Sequence, residues 1–164
     1  MSQLQEAFIY DGARTAFGRH GGCLSSIRPD DLLAHVIRTV VGRNVFSPEA
    51  YEDVIIGNTN QAGEDCRNVG RFAALLAGMP MSVGGLTVNR LCGSGLAAVL
   101  DASRGVKAGE GELFLAGGVE SMSRAPLILS KAQSAFDRGQ QIADSTLGAR
   151  FTNPLFAKNF GNDT

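Results

Sequence analysis

The chain of 164 residues is 44% hydrophobic and 19% charged, which suits one soluble domain with a real core. A formal net charge of −1, with no basic cluster interleaved with aromatics, excludes a broad nucleic-acid or membrane-surface role. No apolar run approaches the roughly 18 residues that span a membrane, and glycine, at 21 residues, is nearly twice its usual share of about 7%.

In chain order, "AFIY" (residues 7–10) is a short apolar run that reads as a buried strand, broken at Gly12. "RTAFGRHGGCLSSIRP" carries turn chemistry and reads as loop. Pro29, Asp30 and Asp31 open a helix, because acids in a first turn suit the macrodipole. Leu33, Val36, Ile37, Val40 and Val41 form its apolar stripe, and Gly42 is the expected stop. "DVIIG" (Asp53–Gly57) is a second buried strand. The polar loop "NTNQAGEDCRN" leads into a helix through Val69, Phe72, Ala73 and Leu76, ended by Gly78 and Pro80. "LTVNRL" is a third strand, with Leu86 and Val88 on one face. A helix follows from Cys92 to about residue 107, with Leu96, Val99, Leu100 and Ser103 in register. "ELFLAGG" (residues 112–118) is a fourth strand.

Strands alternating with helices predict an α/β fold: a mostly parallel, mixed sheet covered by helices, in the order βαβαβαβ. The glycines fall at element ends, where tight βα turns and close backbone approach need them. Past Ser121 the periodicity weakens and no closing strand follows. Phe151, Leu155 and Phe156 are expected to find partners in a continuation of the chain or on another subunit.

The stretch "NRLCGSG" (residues 89–95) puts Cys92 at a strand-to-helix hinge, followed by two glycines. A sulfur just before a helix lies near unsatisfied N–H groups and the positive end of the macrodipole, which favour the nucleophilic thiolate. Gly93 and Gly95 leave room for a substrate carbonyl, and their N–H groups, with that of Cys92, can receive a developing oxyanion. Ligands of open α/β sheets bind at the carboxyl ends of the strands, so the placement fits covalent catalysis by a thiolate.

Two other readings stand beside it. A lone cysteine in an apolar setting is a small core residue, and from the residues alone this balances the nucleophile. Residues 93–98 (GSGLAA) also match G-x-G-x-x-A, the dinucleotide-binding fingerprint. That motif wants an acid at the end of the next strand, but Glu110 and Glu112 precede the strand and Glu120 lies too far along. It also belongs on a first strand, not a third.

His20 and His35 are the only histidines. His35, between Leu33 and Val36, reads as structural and His20 as a surface residue; neither is assigned to activate Cys92. Cys66 reads as a helix-start residue, and Glu120 as a structural hydrogen-bonding group. There is no metal-ligand spacing. Cys23, Cys66 and Cys92 are far apart, and "MSQLQEAFIYDG" lacks signal or transit character, so a reducing, cytoplasmic setting is expected.

"VNRLCGSGLAAVLDASRGV" (residues 88–106) resembles the acyl-enzyme cysteine signature of thiolases. "RTAFGRHGG" (14–22), "NQAGEDCRNVGR" (60–71) and "AGGVESMSRAP" (116–126) resemble other segments of that family. "NQAGEDCRN" and the tail "DSTLGARFTNPLFAKNFG" look most like 3-oxoadipyl-CoA thiolases, with biosynthetic acetoacetyl-CoA thiolases the near alternative.

The resemblance implies that Cys92 takes up the acyl group of a 3-oxoacyl-CoA, with Gly93 and Gly95 as backbone support. It implies a thiolase-fold α/β domain over residues 1–120, and the start of an inserted loop domain over residues 121–164 that helps bind CoA. The loop around Gln61–Asp65 would approach the partner subunit's active site. No permanently bound cofactor is implied; acyl-CoA and CoA are substrates, and a homodimer or homotetramer is expected.

Thiolases are more than twice this length. Their second half supplies the histidine that activates the nucleophile, a second cysteine, and much of the oxyanion and CoA site. This chain resembles the first half, so alone it is expected to lack turnover. The non-enzymatic alternative is a truncated chain that folds and associates without catalysing anything.

Overall fold

In the computed structural model, which describes residues 5–161, the run DVIIG forms β1 (Asp53–Gly57). Side chains of a strand alternate between faces, and here the alternation divides the core. Val54 and Ile56 pack with Leu33, Ala34 and Ile37 of α1 (Pro29–Arg43) and with Val69, Ala73 and Ala74 of α2 (Val69–Leu76). Ile55 points the other way, onto Ala98 and Ala102 of α3 (Ser94–Ala108). β1 is the central strand, parallel to β2 (Leu86–Val88) on one side and to β3 (Phe114–Gly118) on the other. Ile55 lies opposite Leu86 and Ala116. This is the α/β arrangement expected, with helices on both faces of a parallel sheet.

The helix ends follow local chemistry. α1 begins with Pro29 and carries Asp30 and Asp31 in its first turn and Arg43 in its last, in keeping with its macrodipole. Asn68 caps α2 by accepting from the Arg71 N–H at 3.2 Å, while its amide donates to the Gly85 carbonyl. α3 stops at Gly109, whose φ of 76° few other residues adopt.

Three expectations need correction. Residues 7–10 form no strand: Phe8 and Ile9 are more than four-fifths exposed, and Tyr10, also exposed, meets the Phe46 ring edge-on at 5.0 Å. β2 and β3 occupy both edges of β1, and residues 7–10 do not pair with the outer edge that β3 leaves free. The outer edge of β3 opens on a cavity of about 490 Å³ bordered by residues 11–20 and α1. The described order is therefore αβαβαβ before the final segment, with all main-sheet strands parallel.

The second correction concerns α3. Its buried face is Ser94, Ala98, Ala102 and Gly105, whereas Leu96 and Leu100 lie outside. Small side chains let the helix axis come close to the sheet, which the larger leucines would prevent. Third, His35 is exposed, and so are all three cysteines, which removes the core-residue reading of Cys92.

Beyond a short 3-10 turn at Met122–Arg124, β4 (Leu127–Leu129) pairs antiparallel with β5 (Ile142–Asp144), apart from the main sheet. α4 (Pro154–Phe160) follows, capped by Asn153. Phe151, Leu155 and Phe156 remain substantially exposed. Arg124 makes a two-pronged ion pair with Glu64, which also meets Arg28 at 3.3 Å. These contacts tie the segment to the loop after β1 and to the start of α1. Among the described residues, no helix is long and apolar enough to cross a membrane.

Candidate active site

The three strands of the main sheet end together at Gly57, Val88 and Gly118. Glycine at two of these ends has a steric cause. A Cβ on Gly57 would sit 2.2 Å from the Ser94 carbonyl carbon and 2.4 Å from the Gly95 nitrogen. One on Gly118 would lie 3.1 Å from the Gly57 oxygen and 3.4 Å from the Gly95 Cα. Backbone therefore rests directly on backbone, and α3 starts immediately above the sheet's carboxyl end.

Cys92 lies on the turn that carries the chain from β2 to that helix start, two residues before its first helical residue, and it is exposed. Leu91, just before it, has a φ of 49°, a left-handed conformation costly for a branched side chain. The Leu91 carbonyl accepts from the Ser94 N–H at 3.0 Å, the Ser94 hydroxyl at 2.6 Å and the Thr59 hydroxyl at 3.2 Å. Ser94 also accepts from the Arg90 N–H at 2.8 Å, and the Asn89 side chain accepts from the Leu91 N–H at 2.9 Å.

The two glycines after the cysteine differ. The Gly93 N–H closes the turn by donating to the Arg90 carbonyl at 3.1 Å. The N–H groups of Cys92 and Gly95 have no hydrogen-bond partner among the described residues, and the side of Gly95 where a side chain would project is open space. Of the backbone donors expected for an oxyanion, these two are unengaged.

The exits of β1 and β3 flank this turn. Glu120 accepts from the Thr59 N–H at 2.7 Å and the Asn60 N–H at 3.1 Å, so it is the hydrogen-bonding group expected and is already engaged by this chain. Asn58 is buried; its amide donates to the Val119 carbonyl at 2.8 Å and to the Asp65 carboxylate at 3.3 Å. Burial, and then the charge of Glu120, push the Asp65 carboxyl above its ordinary value of 3.8. Arg124 holds Glu64 the opposite way, below its ordinary value.

The Asp65 shift has a definite sign. Between the unfolded and folded values the folded chain holds the extra proton, so the contribution of Asp65 to stability is greatest in acid and declines as pH rises through the folded value. Asp65→Asn removes that loss while keeping an acceptor for Asn58. In thermal melts the variant should gain on the wild type as pH rises from about 4 to about 7, with the gap closing in acid.

His20 is exposed beside the cavity along β3, which Cys92 does not line. Cys66, exposed with a φ of 51°, sits in the loop before α2 rather than in its first turn. Among the described residues no cluster of His, Cys, Asp or Glu is placed to hold a metal ion. Sequence reasoning passed over Thr59 and Ser94; the available signal was a polar side chain just past a strand end in "GNTN" and at a helix start in "CGSG".

These features define a parallel α/β domain that exposes a cysteine on a tight strand-to-helix turn. Residues 7–157 match the family described as "Thiolase, N-terminal domain". The chain is 57% identical over 162 residues to the "3-oxoadipyl-CoA/3-oxo-5,6-dehydrosuberyl-CoA thiolase" of Escherichia coli (strain K12), covering 98% of this chain and 40% of that protein. It is 52% identical over 162 residues to the "Beta-ketoadipyl-CoA thiolase" of Acinetobacter baylyi, again covering 98% and 40%. The crystal structure of the Bacillus anthracis acetyl-CoA acetyltransferase matches with a TM-score of 0.81 at 32% identity, over 88% of this chain and 37% of that one. The chain belongs to the thiolase family and falls in its N-terminal domain. It spans about 40% of the length of the curated relatives it matches.

Proposed function

We propose that this chain supplies the nucleophile of a thiolase, an acyl-CoA C-acyltransferase, with Cys92 as the acyl carrier. The observation that carries the reading is an exposed cysteine at the carboxyl end of a parallel sheet, with two unengaged N–H groups on its own turn. Cys92 Sγ attacks the 3-oxo carbonyl of a 3-oxoacyl-CoA. The bond between C2 and C3 breaks, and its electron pair goes to C2 of the departing acetyl-CoA, which takes up a proton. The thiol of a second CoA then removes the acyl group from sulfur, a ping-pong scheme. The N–H groups of Cys92 and Gly95 are the backbone donors offered to the oxyanion, and Gly93 keeps the turn closed. CoA enters as a substrate, and no resident cofactor takes part.

For the substrate, 3-oxoadipyl-CoA is the reading favoured by the names of relatives at 52 to 57% identity, giving acetyl-CoA and succinyl-CoA. The biosynthetic alternative, acetoacetyl-CoA, rests on the lower 32% identity to an acetyl-CoA acetyltransferase. We assign residues 1–120 to the α/β domain and residues 121–164 to the start of a loop domain; among the described residues, the separate β4–β5 pair and α4 support that division. The activating base and the rest of the CoA site belong to the remainder of the protein, which works as a cytoplasmic homodimer or homotetramer, and the 164-residue chain alone does not turn over.

The test is direct. The full-length protein carrying this chain, given 3-oxoadipyl-CoA without free CoA, should release acetyl-CoA and gain a succinyl mass on the Cys92 peptide. Free CoA should discharge it as succinyl-CoA. Preference for acetoacetyl-CoA would favour the biosynthetic reading, and an acyl mass elsewhere would remove Cys92 as nucleophile.

A further inference from the structure

Cys92 is held from outside its own turn. The bonds from Ser94 and Asn89 to Leu91 lie within residues 89–94 and move with them. Two others come from the exit of β1: the Thr59 hydroxyl donates to the Leu91 carbonyl at 3.2 Å, and the Thr59 carbonyl accepts from the Asn89 side chain at 3.0 Å. Thr59 is in turn fixed from the exit of β3, where the Glu120 carboxylate takes the N–H groups of Thr59 and Asn60 at 2.7 and 3.1 Å. Asn60 is further anchored by its amide on the carbonyl and hydroxyl of Ser145, at 2.8 and 3.2 Å. One line of hydrogen bonds thus joins all three strand exits and ends on the residue before the cysteine.

We propose that Thr59, fixed by Glu120, is a positioning residue for the nucleophile: it holds the Leu91 carbonyl, keeps Leu91 in its left-handed conformation, and so sets where Cys92 presents its sulfur and its N–H. This rests on reading Cys92 as the acyl carrier. Leu91 has a φ of 49°, which its own side chain disfavours and which persists only while its surroundings enforce it. If the Thr59 tie is cut, Leu91 can relax toward an ordinary conformation. The sulfur then moves relative to the Cys92 and Gly95 N–H groups, and small displacements of a reacting atom lower rate steeply.

The variants are Thr59→Val, which removes the hydroxyl at nearly constant volume, Thr59→Ser, which restores it, and Glu120→Gln, which leaves one N–H facing an amide. In the full-length protein, kcat and KM for thiolysis of 3-oxoadipyl-CoA are measured, with the iodoacetamide alkylation rate of Cys92 referenced to Cys23. Thr59→Val and Glu120→Gln should lower kcat by about tenfold or more with KM within about twofold, and should slow Cys92 alkylation against Cys23. Thr59→Ser should return both readouts to within about twofold of wild type. Wild-type behaviour of Thr59→Val, or a loss in Thr59→Ser equal to that in Thr59→Val, overturns the proposal. A wild type that never acylates Cys92 defeats the functional reading instead, and the alkylation series still decides the positioning role.

Discussion

Gly57→Ala should destabilise the chain more than any other single methyl addition at the sheet end. The added carbon would lie 2.2 Å from the Ser94 carbonyl carbon, 2.4 Å from the Gly95 nitrogen and 2.5 Å from the Ser94 oxygen. All are backbone atoms, so no rotamer change relieves the overlap; either α3 lifts from the sheet or β1 shifts. Lifting α3 separates Ala98 and Ala102 from Ile55, which are packed together in the core. A loss of about 3 kcal/mol or more is expected, which for a chain of this size lowers the melting midpoint by roughly 6 to 12 °C. Urea or thermal denaturation measures it. Gly42→Ala is the control: its added carbon meets nothing within 4 Å, near the end of α1. It should stabilise by about 0.5 to 1 kcal/mol through helix propensity and a less flexible unfolded chain. Equal effects of the two changes would refute the steric account.

The second large effect is chemical. In the full-length protein, Cys92→Ala should lower kcat for thiolysis by about 10⁴-fold or more, because the covalent route is removed rather than impaired. KM should change far less, since the alanine withdraws no binding group. Cys23→Ser should leave both parameters near wild type, as Cys23 is exposed in the loop before α1. Iodoacetamide labelling gives an independent check: faster alkylation of Cys23 or Cys66 than of Cys92 would count against an activated thiol. Retention of thiolysis by Cys92→Ala would end the acyl-enzyme reading.

Much of the fold was legible because periodicity and local burial agree. "DVIIG", and parts of "LTVNRL" and "ELFLAGG" (Leu86–Val88 and Phe114–Gly118), are short apolar runs that the chain pairs with one another, and α1, α2 and α3 begin and end within two residues of their capping signals. The failures share a cause: each depends on what lies across space. Residues 7–10 have the composition of a strand but pair with no edge, which no local pattern reports. In α3 the leucines seemed the inward face because they are large, whereas a close helix-to-sheet approach selects Ser94, Ala98, Ala102 and Gly105.

The candidate site divides in the same way. Cys92 was visible from its hinge and the glycines after it. Gly93 and Gly95 looked alike in sequence, but one N–H closes the turn and the other stays open. Thr59 could not be linked to Cys92 from sequence, because 33 positions separate them and only the parallel register of β1 and β2 brings their ends together.

The strand order also leaves β3 with a bare side. Pairing occupies only its β1 edge among the described residues, and the opposite edge, from Phe114 to Gly118, faces a cavity rather than a neighbour. An unpaired edge is a comb of alternating donors and acceptors that recruits any extended backbone within reach. For the 164-residue chain, that stretch of main chain is a route to self-association that surface charge alone does not close. A short peptide in extended form, supplied in excess, is expected to pair with that edge and lower such association.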